Sequence, residues 1–209
     1  MARVKTLAAL KERERESRRR LILEAAERVF GAKPHRQVSL REIAREAGLS
    51  PASIYRYFPD RQTLFIETFV LGAERLIERL EGAAGRPGGA GLKETAAVFL
   101  DFLTENDNYF RAMTNFMLDG GLAGRPLEKL NRMERALLDR FDRAFQAQGL
   151  TGDVRLLSHA FFAALNGVLI TFRDYPGRTR AEVRRHMDRV AGVLVETFLS
   201  PPDRKPGGG

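Results

Sequence analysis

At 209 residues and a net charge of +8, the chain is long enough for one or two domains with a substantial core. It holds no Cys, which excludes disulfides, thiolate metal sites and a Cys nucleophile and fits a reducing cytoplasm. The opening MARVKTLAALKERERESRRR mixes acidic with basic residues, so no secretory signal is expected, and no later segment runs about 18 apolar residues without a charge, so no membrane partner is expected either.

The charge is uneven. Residues 1–60 hold 14 Lys and Arg against 8 Asp and Glu, whereas the remaining 149 hold 21 against 19. A basic excess gathered at one end is what a phosphate-binding region looks like. Within that end, KERERESRRR alternates sign, and residues 1–16 read as a flexible basic and acidic arm, helical or disordered, that frays. Ser17 then caps a helix on the stripe Leu21, Ile22, Ala25, Ala26, Val29 and Phe30, with Gly31 and Pro34 as its terminators.

A second helix begins at Ser39, which forms a capping box with Glu42 and carries Leu40, Ile43, Ala44 and Ala47 on one face. Gly48 suits the left-handed turn that closes it. Ser50 caps a third helix with Pro51 at its first position, where the missing N–H costs nothing. With Ile54 and Phe58 directed inward, about 100° per residue points Ala52, Ser53 and Arg56 outward and sets Tyr55 and Tyr57 on the two flanks. A short helix with a small-residue front, one Arg and two phenols suits a DNA groove. Small residues admit close approach to bases, Arg reaches guanine or phosphate, and Tyr hydroxyls reach phosphate oxygens.

Downstream, a long helix runs from Asp60 to about Glu81, followed by the Gly-rich loop 82–91. Helices are expected near Leu92–Glu105, Asn108–Leu118, Pro126–Gln148, Asp153–Asp174 and Arg180–Leu199, and then a disordered tail, 201–209. The fold expected is all-α with about nine helices: a helix-turn-helix DNA-binding domain over 17–60, then a larger ligand-binding and dimerisation domain over 61–200. Two apolar faces are available for pairing with a second copy: Leu156, Leu157, Ala160, Phe161, Ala164, Leu165 and Val168 on one helix, and Val183, Met187, Val190, Ala191, Leu194 and Phe198 on the other. Twelve of the 14 Phe follow residue 60. Phe99, Phe102, Phe110, Met113, Met117, Phe141, Phe145, Phe162 and Asn166 are the lining expected for a pocket that takes a largely apolar effector, such as a long-chain acyl-CoA or fatty acid.

The stretch VSLREIAREAGLSPASIYRYFPDRQTLF resembles the DNA-binding signature of the tetracycline-repressor (TetR) family, over about Leu21 to Phe69. The resemblance implies a ligand-responsive repressor that binds double-stranded DNA as a homodimer. It further implies that Ser39 caps the motif's first helix beside the DNA backbone, that Ala52 and Ser53 approach bases and that Tyr55 and Tyr57 meet phosphates. Arg56 then sits at the variable specificity position. Arg61 stands where many members carry Lys and keeps its charge for a phosphate. Pro51 replaces a frequent Lys or Gly and is not counted as a reader. Within this class a drug-efflux sensor is the alternative to a lipid-metabolism regulator, and outside it stands a helical ligand carrier that does not bind DNA. No catalytic motif is present, and His35, His159 and His186 are scattered, so neither an enzyme nor a metal or other cofactor is expected.

Overall fold

The computed structural model describes the backbone of residues 2–84, 91–119 and 122–200 and the side chains of residues 7–84, 91–118 and 122–200. Among these residues all regular structure is helical, as expected. The order is α1 (Ala2–Ala32), a 3-10 turn (His35–Gln37), α2 (Leu40–Glu46), α3 (Pro51–Tyr55), α4 (Arg61–Ala84), α5 (Leu92–Glu105), α6 (Asp107–Asp119), α7 (Gly124–Ala147), α8 (Val154–Phe172) and α9 (Arg180–Leu199). The expected disordered tail, 201–209, and residues 85–90 of the expected loop lie outside the described residues.

The backbone forms two compact units that do not follow chain order. One comprises Met1–Gly72 with Asn106–Asn131, the other Ala73–Glu105 with Arg132–Gly209. The expected division after residue 60 is therefore not the division in compactness. The start of α4, all of α6 and the start of α7 belong with the N-terminal helices.

In the first unit α1 begins well before the expected cap. It is one 31-residue helix through the segment read as an arm, so Ser17 lies inside it rather than capping it. The buried stripe Ile22, Leu23, Ala25, Ala26 and Phe30 supplies the costly nucleus, and the polar turns upstream extend it at little further expense. The i,i+4 pair Arg18 Nη2 to Glu14 Oε1, at 2.7 Å, adds about 0.3–0.5 kcal/mol. Gly31 does not end the helix either. A Cβ there would stand 2.7 Å from the backbone of Asn108, so the bare glycine lets α1 and α6 touch main chain to main chain. Edge-to-face packing of Phe30 on Phe65, centroids 5.0 Å apart, and His35 against Phe65 at the same distance fill the space below.

The elbow forms as its residues dictate. Ser39 Oγ accepts the Glu42 N–H and Glu42 Oε2 accepts the Ser39 N–H at 2.8 Å, the full capping box. Gly48 takes φ +65°, and Leu49 N then donates to Ala44 O at 2.9 Å. Ser50 Oγ accepts the Ser53 N–H to open α3. This helix is only five residues long and ends before the expected Phe58. Tyr57 N and Phe58 N both donate to Ile54 O at 2.9 Å, and this tight closing turn still carries Phe58 inward, where it is 1% exposed.

In the second unit α5, α8 and α9 pack on one another, with rings set edge to face. Phe99 meets Phe141 at 5.8 Å and Phe162 at 5.7 Å, while Phe161 meets Phe145 at 5.7 Å and Phe198 at 5.1 Å, with interplanar angles of 68–78°. The faces assigned to dimerisation need correction. Phe161, Leu165 and Val168 on α8, and Val183, Met187 and Ala191 on α9, are core. The exposed α8 stripe keeps Leu156 and Ala160 from the expected face and continues through Ala163, Gly167 and Ile170. α8 has the length and mean hydropathy, 1.4, of a bilayer-crossing helix, although Arg155 lies within it.

Candidate nucleic-acid interface

On α3 the inward and outward residues separate cleanly. Ile54 is fully buried, whereas Ala52, Tyr55 and Arg56 are exposed and Ser53 and Tyr57 partly so. Tyr55, at 56% exposure, is a large ring with no burial in its own unit to justify it. Arg56 is the C-cap residue, so its side chain leaves from the end of the helix rather than the middle of a face. Ser53 Oγ lies 2.9 Å from Ser50 Oγ; that contact orients it, and a base edge would have to share the hydroxyl.

The flanking residues serve structure as well. Ser39 is exposed, but its hydroxyl and its N–H are both taken by Glu42. Glu42 Oε1 also accepts from Lys33 Nζ at 2.6 Å. Lys33 and the two Ser39 donors together hold the Glu42 carboxyl well below its ordinary range, at about 2. Arg61 Nη1 donates to Arg36 O at 2.6 Å and Val38 O at 3.3 Å. It clasps the exit of the 3-10 turn to the start of α4, a role that the spacing of the motif did not suggest. Two further anchors escaped sequence reasoning because their partners are distant in the chain. Arg28 Nε pairs with Glu46 at 2.6 Å. Arg19 lies over the Phe58 ring at 5.4 Å and reaches Glu67 at 2.6 Å, where Lys129 joins it.

The nine residues expected to line an effector pocket are not gathered into one unit. Phe99, Phe102, Phe141, Phe145, Phe162 and Asn166 belong to the second, while Phe110, Met113 and Met117 lie on α6 in the first, with Met117 half exposed. Phe99, Phe141 and Phe145 are wholly buried. Two buried polar atoms on α8, Ser158 Oγ and Asn166 Oδ1, have no hydrogen-bond partner among the described residues, although Asn166 Nδ2 donates to Phe162 O at 2.8 Å. In the same unit Leu80, Ala84, Ala144 and Ala147 with Arg140 and Arg143 line a cavity of about 180 Å³. Among the described residues no group of three His, Asp or Glu is placed to hold a metal ion.

Residues 22–68 match the family model described as bacterial regulatory proteins, tetR family. The elbow and its flanking helices are thus a tetR-family DNA-binding segment. A relative from Haemophilus influenzae, described as an uncharacterised HTH-type transcriptional regulator, is 33% identical over 110 residues, or 51% of this chain and 54% of that one. The chain thus matches about half the length of this curated relative. Solved structures of similar fold include the regulator FadR from Bacillus subtilis in complex with stearoyl-CoA, at TM-score 0.70 and 20% identity over 88% of this chain and 98% of that one. PfmR from Thermus thermophilus matches at TM-score 0.63 and 24% identity, over 88% and 99%. FadR from Bacillus halodurans matches at TM-score 0.62 and 16% identity, over 87% and 94%. The matched segment holds the whole elbow, from Ile22 in the α1 stripe to Thr68, whose hydroxyl bonds Leu64 O within α4.

Proposed function

We propose that this chain is a TetR-family transcriptional repressor that binds a palindromic operator as a homodimer and is released by a largely apolar effector, a long-chain acyl-CoA or fatty acid. The observation that carries the DNA-binding half is the face of α3. Ala52, Tyr55 and Arg56 project from a helix whose back is locked by Ile54, and the helix lies in the more basic end of the chain. Arg56 reads base edges, Ala52 and Ser53 allow the backbone near them, and Tyr55 and Tyr57 meet phosphates. Ser39 and Arg61 act beside the DNA backbone while holding their own helix ends.

Reading two half-sites roughly 34–36 Å apart requires two copies. The exposed α8 stripe supports this. Gly167 sits in mid-helix, where a glycine costs about 1 kcal/mol relative to alanine, and a Cβ there would meet nothing within 4 Å. No packing within the subunit calls for a glycine at this position; the close approach of a partner's helix does. Val193, 62% exposed, is a further bare apolar side chain, on α9. Covered in this way, α8 has no need of a bilayer.

The effector half rests on the second unit. Its aromatic interior suits an acyl chain, and Ser158 and Asn166 offer buried polar atoms whose desolvation, about 1–3 kcal/mol each, a ligand carbonyl or amide would recover. Arg143 at the cavity edge suits an anionic head group. The stearoyl-CoA in the B. subtilis neighbour makes acyl-CoA the first compound to try. The ligand would act by biasing α4, which contributes residues to both units and so connects effector site and reader. The test is selection of duplexes from a random pool, followed by challenge of the complex with palmitoyl-CoA. A selected palindrome that palmitoyl-CoA releases supports the whole proposal. Binding that palmitoyl-CoA leaves unchanged removes the effector assignment, and equal affinity for all duplexes removes the operator reading.

A further inference from the structure

Along α1 every side chain from Leu7 to Arg18 is exposed. A helix that packs on no core over this length has its role elsewhere. Lys11, Arg15 and Arg18 recur at spacings of four and three, which sets them on one face. That face, with Glu14 on it, lines a groove of about 330 Å³ together with Arg56 and Tyr57 at the end of α3. Four cations, Lys11, Arg15, Arg18 and Arg56, against the one carboxylate of Glu14 give the groove a net charge of +3.

Because Arg56 and Tyr57 belong to the reading face, the groove is continuous with it. We infer that this groove is a second DNA contact, in which Lys11, Arg15 and Arg18 grip the sugar-phosphate backbone flanking each half-site while α3 reads the bases. The inference rests on the proposed DNA-binding function and extends its footprint outward. The local ion pairs fit this role. Arg18 bonds Glu14 at 2.7 Å and Arg15 stands 4.0 Å from Glu12, with all four side chains half exposed or more. Such pairs hold the helix in register at little cost and can be exchanged for phosphate. Contacts of this kind position the protein on the duplex without discriminating sequence.

The test uses the full-length chain and a palindromic duplex selected from a random pool, once with a helical turn of flank at each end, about 10 base pairs, and once trimmed to the half-sites. The triple variant Lys11→Gln, Arg15→Gln, Arg18→Gln is expected to bind the flanked duplex about 10- to 100-fold more weakly. The slope of log K against log salt should fall by about 0.9 for each phosphate that a subunit no longer neutralises, with base preference unchanged. On the trimmed duplex, variant and wild type should converge. Glu14→Gln, which removes the competing carboxylate, should strengthen binding to the flanked duplex a few-fold, a gain that damage to the fold does not mimic. Equal affinity and salt slope for wild type and triple variant on the flanked duplex would overturn the groove assignment while leaving the reader intact. A wild-type chain that prefers no duplex would overturn both.

Discussion

In the first unit the residues proposed to touch DNA are those the fold leaves outside: Ala52, Tyr55 and Arg56 are exposed, and Ile54 alone joins α3 to the core. In the second unit the residues proposed to touch an effector are those the fold has sealed. Phe99, Phe141 and Phe145 have no exposed surface, and each packs edge-on to another ring. The contrast is one of division of labour. A reader can keep its scaffold and its contact residues separate, so its function is written in a short local stretch. An effector site built from core side chains must use the same atoms for stability and for recognition, and its members are scattered along the chain. Mutations of the outward α3 residues should therefore separate binding from stability in the first unit, whereas mutations of the buried rings should fail to do so in the second.

The largest expected effect tests what the second unit does for the first. Gly167→Leu fills the space left on α8, and light scattering should report a monomer whose operator affinity has dropped towards non-specific binding, roughly 10³-fold or more. A dimer that persists moves the interface elsewhere. Ile54→Ala should cost about 2–5 kcal/mol in the first unit by opening a cavity behind α3. Operator binding should be lost while the subunit mass in solution stays that of a dimer; retained operator binding would show that α3 does not depend on this anchor. Arg56→Ala should cost about 1–3 kcal/mol of discrimination at one base position and leave the melting temperature unchanged, which competition with single-substituted duplexes and a thermal melt will measure.

Asn166→Leu addresses the sealed unit. Removing the unpartnered Oδ1 should leave stability unchanged or raise it by about 1 kcal/mol while weakening release by palmitoyl-CoA. A coordinate loss of both would place Asn166 among purely structural residues. The smallest effect is the pH dependence of the elbow. Glu42 has its pKa lowered from 4.5 to about 2 by Lys33 and Ser39, so the stabilisation from its charged form is present above the unfolded value and is lost as pH falls from 4.5 towards 2. Thermal melts of Glu42→Gln across that window should show a shallower acid dependence than the wild type; identical curves would detach the capping box from acid stability.

The elbow was legible because each of its devices is local. Ser39 and Glu42 are three residues apart, Gly48 needs only its own backbone, and Pro51 its own missing N–H. The same local reading misjudged Gly31, whose terminator signal is in fact a contact with Asn108, 77 positions downstream. It also assigned Arg61 to phosphate alone, without the carbonyls of Arg36 and Val38 that it bonds. On α8 a helical period identifies an apolar cylinder but cannot tell which side meets α5 and α9, so Phe161 and Leu165 were grouped with Leu156 and Ala160. By itself, then, the amino-acid order determined the helical class, the capped elbow and the residues its second helix turns outward, since all of these follow from interactions within a few positions. Tertiary structure alone decided that α6 joins the N-terminal helices, which side of α8 stays bare, and that α1 carries Lys11, Arg15 and Arg18 alongside Arg56. Those outcomes depend on which surfaces far apart in the chain exclude water from one another, and no local period encodes that.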